Sequence, residues 1–168
     1  MTLQIRDEAA ADFAAIEAVT TAAFRGASYA SGTEALIVTA LRDAGELTIS
    51  LVAVAAGSIV GHVAISPVKI SDGTTGWFGL GPISVLPQHQ RSGIGSQLME
   101  AALARLRADG ARGCVVLGDP GYYGRFGFRA EQQVTLADVP PEYFQVLSFD
   151  ATLPQGRVSY AVAFDVHG

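Results

Sequence analysis

Between Val85 and Leu98 the chain reads VLPQHQRSGIGSQL, with glycines at 93 and 95 standing just before a run of helical spacing. A helix N-terminus leaves backbone N–H groups without intrahelical partners and carries a partial positive charge, so it binds phosphate without basic side chains. Glycine lets such a loop approach the anion closely. Two nucleotide motifs are excluded by spacing. A P-loop requires GxxxxGK followed by Ser or Thr, and the dinucleotide fingerprint GxGxxG requires Gly or Ala where Leu98 stands. Further along, GDPGYYGRFGF sets Tyr122 and Tyr123 among glycines directly after the apolar run Cys114 to Leu117. A tyrosine hydroxyl, of ordinary pKa about 10, can serve as a proton donor or as the polar handle of a packed ring.

These residues need a frame. Leu3 and Ile5 alternate with polar neighbours as in a first strand, and about Glu8 to Phe24 has helical spacing through Phe13, Ile16 and Val19. After RGASYASG, a small-residue loop suited to line a site, Thr33 and Glu34 open a second helix. Leu36, Ile37, Ala40 and Leu41 share its face and Gly45 closes it. Leu47 to Ile70 is rich in Val and Ile, with Ala56-Gly57 at a tight turn between antiparallel strands. A further strand ends in Ile83, Ser84 and Val85. The helix after the glycines repeats Ile94, Leu98, Ala102 and Leu106, with Asp109-Gly110 as its stop. Cys114 to Leu117 reads as a strand buried on both faces, and Phe144 to Phe149 and Val158 to Phe164 read as late strands.

The 168 residues suit one core and one domain spanning 1–168. At 49% hydrophobic and 16% charged the composition is that of a folded globular chain. A net charge of -5, with no run of Lys or Arg, lacks the basic footprint that nucleic acid or an anionic membrane requires and favours a cationic or neutral partner. The most apolar stretch, Leu51 to Ile65, is interrupted by Gly, Ser and His and falls short of the ~20 residues of a membrane helix. The N-terminus carries acids where a secretion signal would be basic, so a cytoplasmic setting is expected. The single cysteine, Cys114, permits no intrachain disulfide and no multi-cysteine zinc site, and no metal is expected.

The loop segment resembles the pattern VxPxxQxxGxG of the GNAT N-acetyltransferases, matching at Val85, Pro87, Gln90, Gly93 and Gly95. YGRFGF resembles the YxxxGF element that follows the family's fifth strand, with Tyr123 at the tyrosine position. The resemblance covers almost the whole chain. It implies a single-domain α/β fold whose central mixed, mostly antiparallel sheet is splayed between its fourth and fifth strands, with helices on both faces. It further implies acetyl-CoA as co-substrate, bound by Ile83, Ser84, Val85, Gln90, Arg91, Ser92, Gly93, Ile94, Gly95, Ser96 and Tyr123. The loop amides would wrap the pyrophosphate, and strand Ile83 to Val85 would bond the pantetheine arm and thioester carbonyl. A homodimer is weakly implied, and the apolar end SYAVAF suits either pairing across it or a place inside the sheet.

By the same resemblance the activity is acetyl transfer to a primary amine of a small molecule or peptide, by direct attack in a ternary complex with Tyr123 as general acid. A non-catalytic acyl-CoA sensor on the same fold would bind without turnover. Only a neutral amine attacks: one of pKa about 10.4 costs about 4.6 kcal/mol to deprotonate at pH 7, an α-amino group about 1. Candidate bases are Glu34, Asp119, His62 or water. Glu34 equally suits a helix start, Asp119 before Pro120-Gly121 a turn, and His62 a buried strand. Cys114 lies in an apolar run with nothing nearby to lower its pKa and reads as packing.

Overall fold

Along Ile49–Ala55 almost every side chain is buried, and the reason is visible in which helix each one meets. Leu51, Ala53 and Ala55 pack with Leu98, Met99 and Ala102, whereas Val52 packs with Ile16 and Val38. Side chains alternate across a strand, so helices cover opposite faces of this sheet. The computed structural model describes residues 2–25 and 32–166. Residues 26–31, most of the loop expected to line a site, lie outside them.

The elements in chain order are β1 (Leu3–Asp7), α1 (Phe13–Phe24), α2 (Glu34–Asp43), β2 (Ile49–Ala55), β3 (Ser58–Pro67), β4 (Lys69–Ile70) and β5 (Trp77–Val85). They continue with α3 (Ile94–Ala108), β6 (Gly113–Leu117), α4 (Pro120–Tyr123), β7 (Val134–Thr135), β8 (Phe144–Ser148) and β9 (Gly156–Ser159). The main sheet has the order β1-β2-β3-β5-β6-β8, and β4-β9-β7 form a second, small one. In the main sheet only β5 and β6 run parallel. The sheet is therefore mixed and mostly antiparallel, as expected. The β2–β3 turn is Ala56-Gly57, both at positive φ, which suits the right-handed twist of a tight hairpin. α3 buries Ile94, Leu98, Ala102 and Leu106, the face read from its spacing.

Four expectations need correction. α1 starts at Phe13, not near Glu8, because the Asp12 carboxylate accepts the Ala9 N–H and the Arg6 guanidinium and holds a short 3-10 turn ahead of it. In α2 it is Val38 that joins Ile37 and Leu41 in the core, while Leu36 is 43% exposed. Leu117, read as buried, is 46% exposed. The stretch Val158 to Phe164 is not one strand: β9 ends at Ser159 and Val162–Asp165 is a 3-10 turn, because Ala161, Ala163 and Phe164 pack against Ile37 and Leu41 of α2. SYAVAF therefore offers no extended edge for a partner.

Candidate active site

The site begins with an irregularity in β5. Val63 pairs with Ile83 but Ile65 pairs with Leu80, so Gly81 and Pro82 together stand opposite Ala64 as a bulge. Gly81 has φ +137, a conformation that side-chain-bearing residues rarely adopt, and Pro82 has no N–H to give a ladder. Pairing of β5 with β6 runs from Trp77↔Gly113 to Gly79↔Val115 and stops there. Beyond Gly79 the two strands part. The Leu86 N–H reaches the Val60 carbonyl, and antiparallel alternation then turns the N–H groups of Ile83 and Val85 away from β3, toward the gap.

A cleft of about 1360 Å³ occupies this opening. One wall is the loop after β5. Gln90 donates to the Val85 carbonyl at 3.0 Å and ties the loop to the strand; Ser92 donates to the His89 carbonyl. Gly93 caps α3 in the left-handed region at φ +87, with no side chain capping the helix and no acid in its first turn. Helix starts usually carry a Ser, Thr, Asp or Asn cap, so this end leaves its N–H groups to an external acceptor.

The opposite wall is the turn after β6. Asp119 accepts the Gly121 N–H at 3.1 Å and opens α4, which presents both tyrosines to the cleft. Gly118 is needed here: a Cβ on it would stand 2.5 Å from the Tyr123 ring. A Cβ on Gly95 would lie 3.2 Å from the Tyr122 hydroxyl, so that glycine seats a tyrosine as well as a loop. The two tyrosine rings meet edge to face at 5.0 Å, and Tyr123 packs on Phe128. Arg125 lies 4.7 Å above the Tyr122 ring and donates to Ser96 at 3.4 Å, bridging the two walls.

Ile83, Ser84, Val85, Gln90, Arg91, Gly93, Gly95, Ser96 and Tyr123 all line this one cleft. The side chains of Ser92 and Ile94 do not; Ile94 is 4% exposed and belongs to the core under α3. Of the candidate bases only Asp119 lines the cleft. Glu34 is the first residue of α2 and lies outside the described lining.

His62 is fully buried, with Nε2 2.8 Å from Ser50 Oγ. Ser50 donates to Glu8, which pairs with Arg42 at 2.8 Å. Burial pushes His62 down to about 4. Burial pushes Glu8 up, but the hydrogen bonds from Arg42 and Ser50 outweigh it and hold the carboxyl below its ordinary value. Cys114 is fully buried and its thiol is pushed up by burial, which removes it as a nucleophile.

Sequence reasoning missed Arg125, Leu117 and a far side formed by Phe24, Val139, Pro140 and Tyr143. Arg125 was the single cation of YGRFGF and could have been singled out. The far side comes from segments distant in sequence, with no local signal. Phe24 ends a helix on the Val52 face of the sheet, whereas Gly93 and Gly95 belong to α3 on the Leu51 face, so the cleft is lined from both faces.

Residues 46–130 match the family model of the acetyltransferase (GNAT) domain. The chain belongs to the GNAT acetyltransferases. A GNAT family acetyltransferase from Brucella melitensis, solved in complex with acetyl-CoA, superposes with a TM-score of 0.88 at 51% identity, covering 98% of this chain and 99% of that one. The Escherichia coli N-acetyltransferase YhbS, solved in complex with CoA, gives a TM-score of 0.88 at 32% identity over 99% of this chain and 93% of its own. In direct sequence comparison YhbS of E. coli K12 is 39% identical over 102 residues, which span 60% of this chain and 61% of that relative. The β5–β6 splay and the helices on both faces are thus features of this GNAT chain. Among the described residues no helix is long and apolar enough to cross a membrane, and no group of three His, Cys, Asp or Glu could hold a metal ion.

Proposed function

We propose that the chain transfers the acetyl group of acetyl-CoA to a primary amine of a small molecule or peptide, in a ternary complex. One observation carries the reading: an uncapped helix start, outward-turned strand amides and a tyrosine pair converge on the single cleft opened by the parting of β5 and β6. The α3 N-terminus and the amides from Arg91 to Ser96 would hold the pyrophosphate, aided by Arg125. The fit is supported by Gly93 and Gly95, where a loop can approach closely, and by the absence of any competing cap.

The N–H groups of Ile83 and Val85 would meet the pantetheine and the thioester oxygen, which becomes an oxyanion as the amine attacks. The amine nitrogen forms its bond to the carbonyl carbon, the C–S bond breaks, and the departing thiolate takes the proton of Tyr123. The nitrogen's own proton leaves to water, and Tyr123 is reprotonated from solvent. Glu34, the first residue of α2 and outside the described lining, stays a candidate base for the acceptor. The lone cysteine, Cys114, supports a reducing, cytoplasmic setting.

Calorimetric titration with acetyl-CoA, run beside a free-thiol release assay on a panel of amines, tests the reading. Binding with acceptor-dependent thiol release is the expected result. Binding without release from any acceptor would instead favour an acyl-CoA sensor, and no binding would overturn both.

A further inference from the structure

The two ends of the cleft differ in chemistry. Near α3 it is lined by glycine, serine and the cations Arg91 and Arg125. The end toward α1 and β8 is lined by Phe24, Leu117, Val139, Pro140 and Tyr143. Leu117 and Tyr143 are 46% and 44% exposed, large apolar side chains turned to solvent at one opening. An apolar wall at a functional cleft is a place for an apolar ligand body.

The same wall is short of charge. Asp119 is the one carboxylate among the described lining residues, and it already serves the turn that opens α4. His62 is sealed in its network with Ser50 and Glu8. A strongly cationic acceptor would therefore meet a single carboxylate among the described lining residues, Asp119, and that one already accepts the Gly121 N–H.

Resting on the acetyl transfer proposed above, we infer that the acceptor is a weakly basic primary amine on an apolar body: an α-amino group beside a hydrophobic side chain that seats against Leu117 and Tyr143. Such an amine, of ordinary pKa about 7.8, is already partly neutral at pH 7 and attacks without a protein base. Loss of its proton to water and gain of the Tyr123 proton by the thiolate balance the transfer.

The test compares kcat/KM at pH 7 for phenylalanine amide, glycine amide and Nα-acetyl-lysine amide with saturating acetyl-CoA. Phenylalanine amide should exceed the lysine derivative by about 300-fold, the ratio of neutral amine that the two ordinary pKa values set. It should exceed glycine amide by about tenfold, the effect of burying one apolar side chain. Raising the pH should lift the lysine derivative about tenfold per unit while phenylalanine amide levels off above pH 8.

Tyr143→Ala should raise KM for phenylalanine amide severalfold, with acetyl-CoA titration as the check on folding. A phenylalanine-initiated peptide distinguishes a chain terminus from a small molecule as the source; either as best acceptor supports the inference. The lysine derivative matching phenylalanine amide at pH 7, or glycine amide matching it, would overturn the inference and leave acetyl transfer standing. No thiol release from any acceptor would sink the transfer reading and this inference with it.

Discussion

Either side of β3 the molecule treats polar groups in opposite ways. Toward β1 and β2, Arg42, Glu8, Ser50 and His62 are joined in one chain of hydrogen bonds and pressed under α1 and α2. Toward β6, the strand turns amides outward, the helix start goes uncapped, and Arg91 holds a left-handed backbone at φ +64. Of the four residues in the buried chain, His62 keeps one buried atom, Nδ1, without a hydrogen-bond partner among the described residues. The paired buried groups fix a structure, and open ones at a cleft are available to a ligand. The first region should therefore govern stability and the second binding and turnover, with little crossing between them.

The largest effect that would sharpen this contrast is on turnover. Tyr123→Phe should lower kcat by about 100-fold or more, the contribution of a positioned general acid, with little change in melting temperature. Full turnover at every pH would remove Tyr123 from the acid role.

On the closed side, His62 should dominate acid stability. Its folded pKa of about 4 lies below the ordinary value of 6.5, so the unfolded chain binds the proton first as pH falls. Stability should be fully present above pH 6.5 and decline by about 3 kcal/mol toward pH 4. Denaturant titrations at stepped pH, with His62→Gln as the comparison, measure it; an equal slope in the variant would assign the loss to other groups. The Glu8 carboxyl, held low by Arg42 and Ser50, adds a loss that begins near its ordinary pKa and is completed at lower pH.

The smallest effect is Gly93→Val, which should weaken acetyl-CoA binding at least about tenfold by spoiling a positive-φ helix start. No neighbour lies within 4 Å of the added Cβ, so the cost should come from the backbone alone. A folded variant with unchanged calorimetric affinity would break the comparison at its binding end.

What could be read in advance divides along similar lines. α3 was legible because its apolar residues recur every fourth position over an uninterrupted run, and the β2–β3 hairpin because Ala56-Gly57 separates two β-rich segments. The loop before α3 was legible because its glycines, Gly93 and Gly95, leave a fixed spacing in sequence. Leu36 against Val38 was not, since the facing of a short helix depends on which neighbour it meets. Nor was the 3-10 turn at Val162–Asp165, which α2 captures from far along the chain. The apolar wall joins Phe24 to Tyr143, a juxtaposition only the folded topology makes.

That the cleft is lined from both faces of the sheet has an evolutionary consequence. In the proposed acetyl transfer, donor recognition would rely on main-chain atoms of β5 and the α3 start, which most side-chain replacements leave untouched. The far wall is built of separate side chains from α1 and the segment before β8. Descendants of this chain can drift in what they modify while inheriting intact the means of what they spend.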